Sequence, residues 1–102
     1  MPELDKLASD DVNQKLLELK AWNLDETGQK ISREFLFKDF KQAWSFMNEV
    51  ALNAEELKHH PDWSNSWNQV AISLSTHDAG GLTAIDFELA RRIDSLGAKY
   101  NE

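Results

Sequence analysis

The chain is 102 residues long, carries a formal net charge of -7, is 41% hydrophobic and 28% charged, and contains no cysteine. This length suits one domain with one core, burying about 65% of the unfolded surface, and the acidic excess argues against nonspecific nucleic-acid binding, which rests on Lys and Arg at phosphates. Without cysteine there are no disulfides, thiolate nucleophiles or cysteine-held metals, and a reducing cytoplasmic setting fits.

No apolar run approaches the roughly 20 residues that cross a bilayer. Met1-Pro2-Glu3-Leu4-Asp5 lacks a basic region followed by an apolar stretch, so no secretory leader is expected. No internal repeat or low-complexity tract divides the chain, and residues 1–102 read as a single domain.

Ser9 reads as an N-cap with Asp10 and Asp11 in the first turn. Val12, Leu16 and Leu19 follow at helical spacing, with Leu17 broadening the stripe, which predicts a helix over 10–21. Trp22 to Leu24 reads as a short strand, Asp25 to Gln29 as a turn containing Gly28, and Lys30 to Phe37 as the second strand of a hairpin. In that strand Ile31, Arg33, Phe35 and Phe37 share one face. Asp39 caps a long helix whose apolar stripe reads Phe40, Ala43, Trp44, Met47, Val50, Ala51, Ala54 and Leu57. Phe46 falls off that stripe, facing either a subunit partner or solvent, and Pro61 marks the helix end. From Trp67 to Leu74 an apolar set (Val70, Ile72, Leu74, with Asn68) alternates with a mixed one, predicting a strand; a further strand is only hinted at around Asn65–Ser66. Thr83 and Asp86 approximate a capping box, opening a last helix through Phe87, Leu89, Ala90, Ile93 and Leu96. The predicted fold is α+β: an antiparallel sheet of about four strands with three helices packed on one face.

All three histidines fall between residues 59 and 77. His59 and His60 lie between a helix end and a proline, and His77 follows a strand; Glu55, Glu56, Asp62, Asp78 and Asp86 stand near them in sequence. Histidine suits proton exchange near neutrality, so acid–base catalysis is one reading. A second is structural, with His59 and His60 complementing a helix C-terminus. A third is a metal site, though no HExxH spacing supports it. A serine nucleophile at Ser75 is a weaker fourth, without a GxSxG turn. The four tryptophans fit a flat ligand, a subunit contact or plain core packing.

Glu55, three residues, His59-His60-Pro61, five residues, Trp67, nine residues, His77, eight residues and Asp86 form a spacing that resembles the signature of pterin-4a-carbinolamine dehydratases. The similarity extends to Phe35-Leu36-Phe37-Lys38-Asp39-Phe40, to Leu74-Ser75-Thr76-His77 and to Gly81-Leu82-Thr83, covering about Trp22 to Leu96. The resemblance implies a lyase that dehydrates 4a-hydroxytetrahydropterin, the product of aromatic amino acid hydroxylases, to a quinonoid dihydropterin in tetrahydrobiopterin recycling, with no metal and no cofactor. It implies catalysis by His59, His60 and His77, with Glu55, Pro61, Ser75, Thr76, Asp78 and Asp86 joining the histidines around the pterin. Within that set His59 and His77 are expected to exchange protons, His60 to hold the ring, and Glu55 to orient a histidine. Ser75, Thr76 and Asp78 are expected to bind the heterocycle, and Asp86 to cap the last helix while ordering the site. Trp67 packs either against the site or in the core. A homodimer or homotetramer is implied, with neither nucleic acid nor membrane as a direct partner. The alternative is a noncatalytic dimerisation module of the kind animal members provide to a homeodomain transcription factor.

Overall fold

Period-two alternation of large apolar side chains builds one half of the core. In the computed structural model, which describes residues 5–100, four strands pair antiparallel in the order β1-β2-β4-β3: β1 (Asn23–Leu24), β2 (Ile31–Leu36), β3 (Asp62–Ser66) and β4 (Gln69–Leu74). The register sets Ile31 opposite Leu74 and Phe35 opposite Val70, so these four side chains share the buried face. Ser32, Glu34, Ala71, Ser73 and Ser64 fall on the other face.

β3 replaces the faint hint at Asn65–Ser66 with a full edge strand. Its sequence Asp-Trp-Ser-Asn-Ser offers one large apolar residue, Trp63, so alternation could not reveal it; pairing with β4 creates it. The two strands meet at a two-residue turn, Trp67-Asn68, where Trp67 takes φ 49. Trp67 is therefore not the first residue of a strand, and it lies 65% exposed in the turn. Asn65 Nδ2 donates to the carbonyls of Trp67 and Gln69, and Asn68 exchanges hydrogen bonds with the backbone of Phe37. Those bonds hold a bulky residue in a backbone region that usually favours glycine or asparagine.

The helices are α1 (Ser9–Leu16), α2 (Phe40–Leu57) and α3 (Ala84–Ala98), with a short 3-10 turn at His77–Ala79. α1 ends five residues before the predicted limit of 21. Leu17, Glu18 and Leu19 bond three residues back, a tighter winding that lets Leu19 and Trp22 reach the core while Leu17 stays exposed. Ser9 lies inside the helix, and Ala8 holds the cap position without a side-chain bond. Asp39 does cap α2, accepting from the Gln42 amide at 2.8 Å.

Phe46 corrects the predicted face of α2. The buried stripe is Ala43, Phe46, Val50 and Ala54, whereas Phe40, Trp44 and Ala51 point outward. Two apolar stripes overlap on this helix, and hydrophobicity alone does not choose between them. The strand aromatics choose: the Phe46 ring lies 4.8 Å from both Phe35 and Phe37, and Tyr100 closes the group edge-on. Gly97 of α3 makes this possible, since a Cβ there would come within 2.7 Å of the Phe35 ring. Val12, Leu19 and Trp22 from the N-terminal segment join the same single core. Phe46→Ala is expected to cost about 3–5 kcal/mol, the value for a large buried aromatic. A urea midpoint essentially unchanged from the parent would put Phe46 on the surface instead.

Candidate active site

Where α2 stops decides where His59 goes. Lys58 adopts the left-handed conformation (φ 55), and the amides of Lys58 and His59 bond back to the carbonyls of Glu55 and Ala54. This is a Schellman closure, and it turns the chain sharply enough to send two adjacent histidines in different directions. His60 swings outward, its Nε2 2.6 Å from Glu55 Oε2, with both side chains well exposed. His59 turns inward and places Nε2 2.6 Å from Asp86 Oδ1; the imidazole is 13% exposed and the carboxylate 0%.

Asp86 sits in the first turn of α3, within a capping box formed with Thr83. Its second oxygen, Oδ2, accepts from the Thr83 amide at 3.0 Å and from the Thr76 hydroxyl at 2.7 Å. The hydroxyls of Thr76 and Thr83 are themselves 2.8 Å apart. A buried carboxylate is tolerated only when its lone pairs are met, and three partners from three segments meet those of Asp86.

Thr76 lies two residues past the end of β4 and is buried. Thr76 and Gly81 bridge backbone to backbone, closing a loop over the His77–Ala79 turn, with Gly80 at φ 76. His77 and Asp78 stand exposed on that loop, while Ser75 just before it and Pro61 just before β3 are half-buried.

The predicted residues thus fall into three groups. His59 and Thr76 each meet Asp86 in a buried set; His60 and Glu55 pair at the rim; His77, Asp78, Ser75 and Pro61 lie on the two loops that carry the histidines. Trp67 stays apart, at the far end of β4 about 20 Å along the strand. It packs neither against this site nor in the core. Thr83 was visible only as a helix cap, yet its hydroxyl belongs to the buried set. Among the described residues no three His, Asp or Glu side chains converge as metal ligands. A trough of about 570 Å³ lies elsewhere, on the open face of the sheet between Asn23, Ser32, Ser64 and Ser73.

Burial ranks the two histidine–carboxylate pairs. Asp86→Ala leaves His59, the Thr76 hydroxyl and the Thr83 amide without a buried acceptor and is expected to cost about 3–5 kcal/mol. Glu55→Ala, at an exposed pair, is expected to cost less than about 1 kcal/mol. Urea denaturation of the two variants checks this order, and equal losses would contradict it.

Comparison with known proteins gives the family. A family model for pterin 4 alpha carbinolamine dehydratase matches residues 5–96. A protein from Mesorhizobium japonicum, provisionally named a pterin-4-alpha-carbinolamine dehydratase, is 47% identical over 90 residues, 88% of this chain and 92% of that protein. One from Novosphingobium aromaticivorans with the same provisional name is 53% identical over 81 residues, 79% of this chain and 84% of that protein. Among solved structures, a transcriptional coactivator/pterin dehydratase from Brucella melitensis superposes with a TM-score of 0.88 at 38% identity, covering 91% of this chain and 99% of that one. A pterin dehydratase-like RuBisCO assembly factor of the alpha-carboxysome shares the fold at 23% identity and a TM-score of 0.65, covering 76% of this chain and 89% of that one. With its family model spanning nearly the whole sequence and its histidine loops gathered around α3, the chain belongs to the pterin 4 alpha carbinolamine dehydratase family.

Proposed function

We propose that the protein dehydrates 4a-hydroxytetrahydropterin to quinonoid dihydropterin, with His59 and His77 exchanging the two protons. The contact between His59 and the buried Asp86 is the observation that carries this reading. Loss of water from C4a requires one proton to join the leaving hydroxyl and one to leave N5. As the C4a–O bond breaks, the electron pair released from N–H forms the C4a–N5 double bond, so no net proton is gained or lost. Two imidazoles near neutrality can serve both transfers, and positioned acid–base groups contribute about 10²–10⁴-fold. A carboxylate behind an imidazole holds its orientation and stabilises the imidazolium formed in turn.

The remaining roles follow from exposure and contact. The 2.6 Å approach of Glu55 supports it as the residue that orients His60, which holds the ring. Ser75, Pro61 and Asp78 offer surface to the heterocycle from the two loops. The Thr76 hydroxyl is engaged inward, so Thr76 acts from beneath the site, with Asp86. The substrate's 4a-hydroxyl places the enzyme after aromatic amino acid hydroxylases in tetrahydrobiopterin recycling. The family reading adds no metal or cofactor and a cytoplasmic setting.

Stopped-flow decay of the carbinolamine tests the assignment. Wild-type protein should accelerate it, in chelator as well as without, and His59→Ala or His77→Ala should lower the rate by about 100-fold. A wild-type rate in either variant would overturn the assignment of that histidine.

A homo-oligomer belongs to the same reading. The Phe40 and Trp44 rings stack 6.1 Å apart on the outer face of α2, and β3 presents an open sheet edge. Both are surfaces that a second copy would cover. Sedimentation at micromolar concentration should give a dimer or tetramer, and a monomer would count against this part of the reading.

A further inference from the structure

The hydroxyl of Thr83 has no part in the proton chemistry above, yet it is wholly buried and lies in the chain of contacts that ends on His59. We infer that Thr83 is a positioning residue: by donating to Thr76 it holds the hydroxyl that orients the Asp86 carboxylate, and Asp86 in turn holds His59, protonated on Nε2, with Nδ1 as the proton-exchanging atom. The inference rests on the dehydratase reading for its catalytic consequence, but its structural content stands on hydrogen-bond directions alone.

Those directions follow from counting donors. Asp86 Oδ2 receives the Thr83 amide and the Thr76 hydroxyl, and an ionised carboxylate offers only lone pairs. The Thr76 hydroxyl owns one proton, which it directs at Asp86. Towards Thr83 it can therefore only accept, and at 2.8 Å the Thr83 hydroxyl must donate. The chain thus runs one way, Thr83 to Thr76 to Asp86. Oδ1, likewise only an acceptor, faces His59 Nε2 at 2.6 Å, so Nε2 carries the hydrogen. In a neutral imidazole Nδ1 is then the free acceptor.

Removing the Thr83 hydroxyl breaks the direction at its source. The Thr76 Oγ loses its donor, and the Asp86 carboxylate loses one of the restraints behind it. The capping box uses the Thr83 amide as a donor to Asp86 and the Thr83 hydroxyl oxygen as an acceptor of the Asp86 amide, and it leaves the hydroxyl's one proton free for Thr76.

Only three histidines occur in the chain, so long-range proton–nitrogen NMR can assign each tautomer, with His60→Ala and His77→Ala identifying the signals. In the wild type His59 should show a protonated Nε2 and an unprotonated Nδ1; an Nδ1-protonated tautomer would overturn the inference whether or not the protein is a dehydratase. Thr83→Val should keep that tautomer, set by Asp86, and give a kcat lower by about 10-fold to 100-fold at nearly constant KM, the range for a small displacement of a reacting group. Thr83→Ser should restore kcat. A folded Thr83→Val protein with the wild-type kcat would limit Thr83 to capping α3 and overturn the inference. Wild-type protein lacking dehydratase activity but holding the Nε2-protonated tautomer would instead sink the dehydratase reading and keep the positioning chain.

Discussion

The structure around the site depends on one constraint: the carboxylate of Asp86 has no access to water. An ion-forming group in that position is costly unless its neighbours supply hydrogen bonds, and each neighbour here comes from a different segment. His59 comes from the end of α2, Thr76 from the end of β4, and Thr83 from the start of α3. The three elements therefore converge on one point, and the loops carrying His60 and His77 take their places from that convergence. Because an unmet acceptor or donor here is penalised more than a met one is favoured, the cluster specifies its own geometry.

Hydrophobic packing supplies the frame that holds the cluster. Phe35, Phe37, Phe46 and Tyr100 join sheet, α2 and the end of α3, while Ile31 and Leu74 continue the buried face towards the site end of the sheet. Arg92 of α3 reaches Asn53 and Glu56 of α2, adding a polar tie on the outside of the helix pair. The charged surface pairs contribute less than the buried set, since exposed ion pairs are weak and screened.

Much of this was legible in residue order, and the exceptions share a cause. Strong alternation revealed β2 and β4, and the Asp39 and Thr83 caps marked two helix starts, because those signals are local. β3 was hidden because Ser64, Asn65 and Ser66 carry no apolar pattern; its existence depends on a partner strand. The buried face of α2 was misread because Phe40 and Trp44 are as apolar as Phe46, and only contact with Phe35 and Phe37 separates them. The site showed a similar division. The spacing of His59, His77 and Asp86 was visible as a family resemblance, but the pairing of His59 with Asp86 rather than Glu55 was not. That pairing depends on the left-handed turn at Lys58, a residue type that does not announce such a turn.

Gly97 has a consequence for how this sequence can change. The absent Cβ is the space occupied by the edge of the Phe35 ring, with the Phe46 ring next to it. Positions 35, 46 and 97 consequently share one volume, and substitutions at them will not contribute independently. An alanine tolerated at 97 would need a smaller side chain at 35, and that smaller side chain would open a void beside an unchanged glycine. Natural drift through this part of the core is therefore confined to compensated pairs, although the three residues are far apart in the chain.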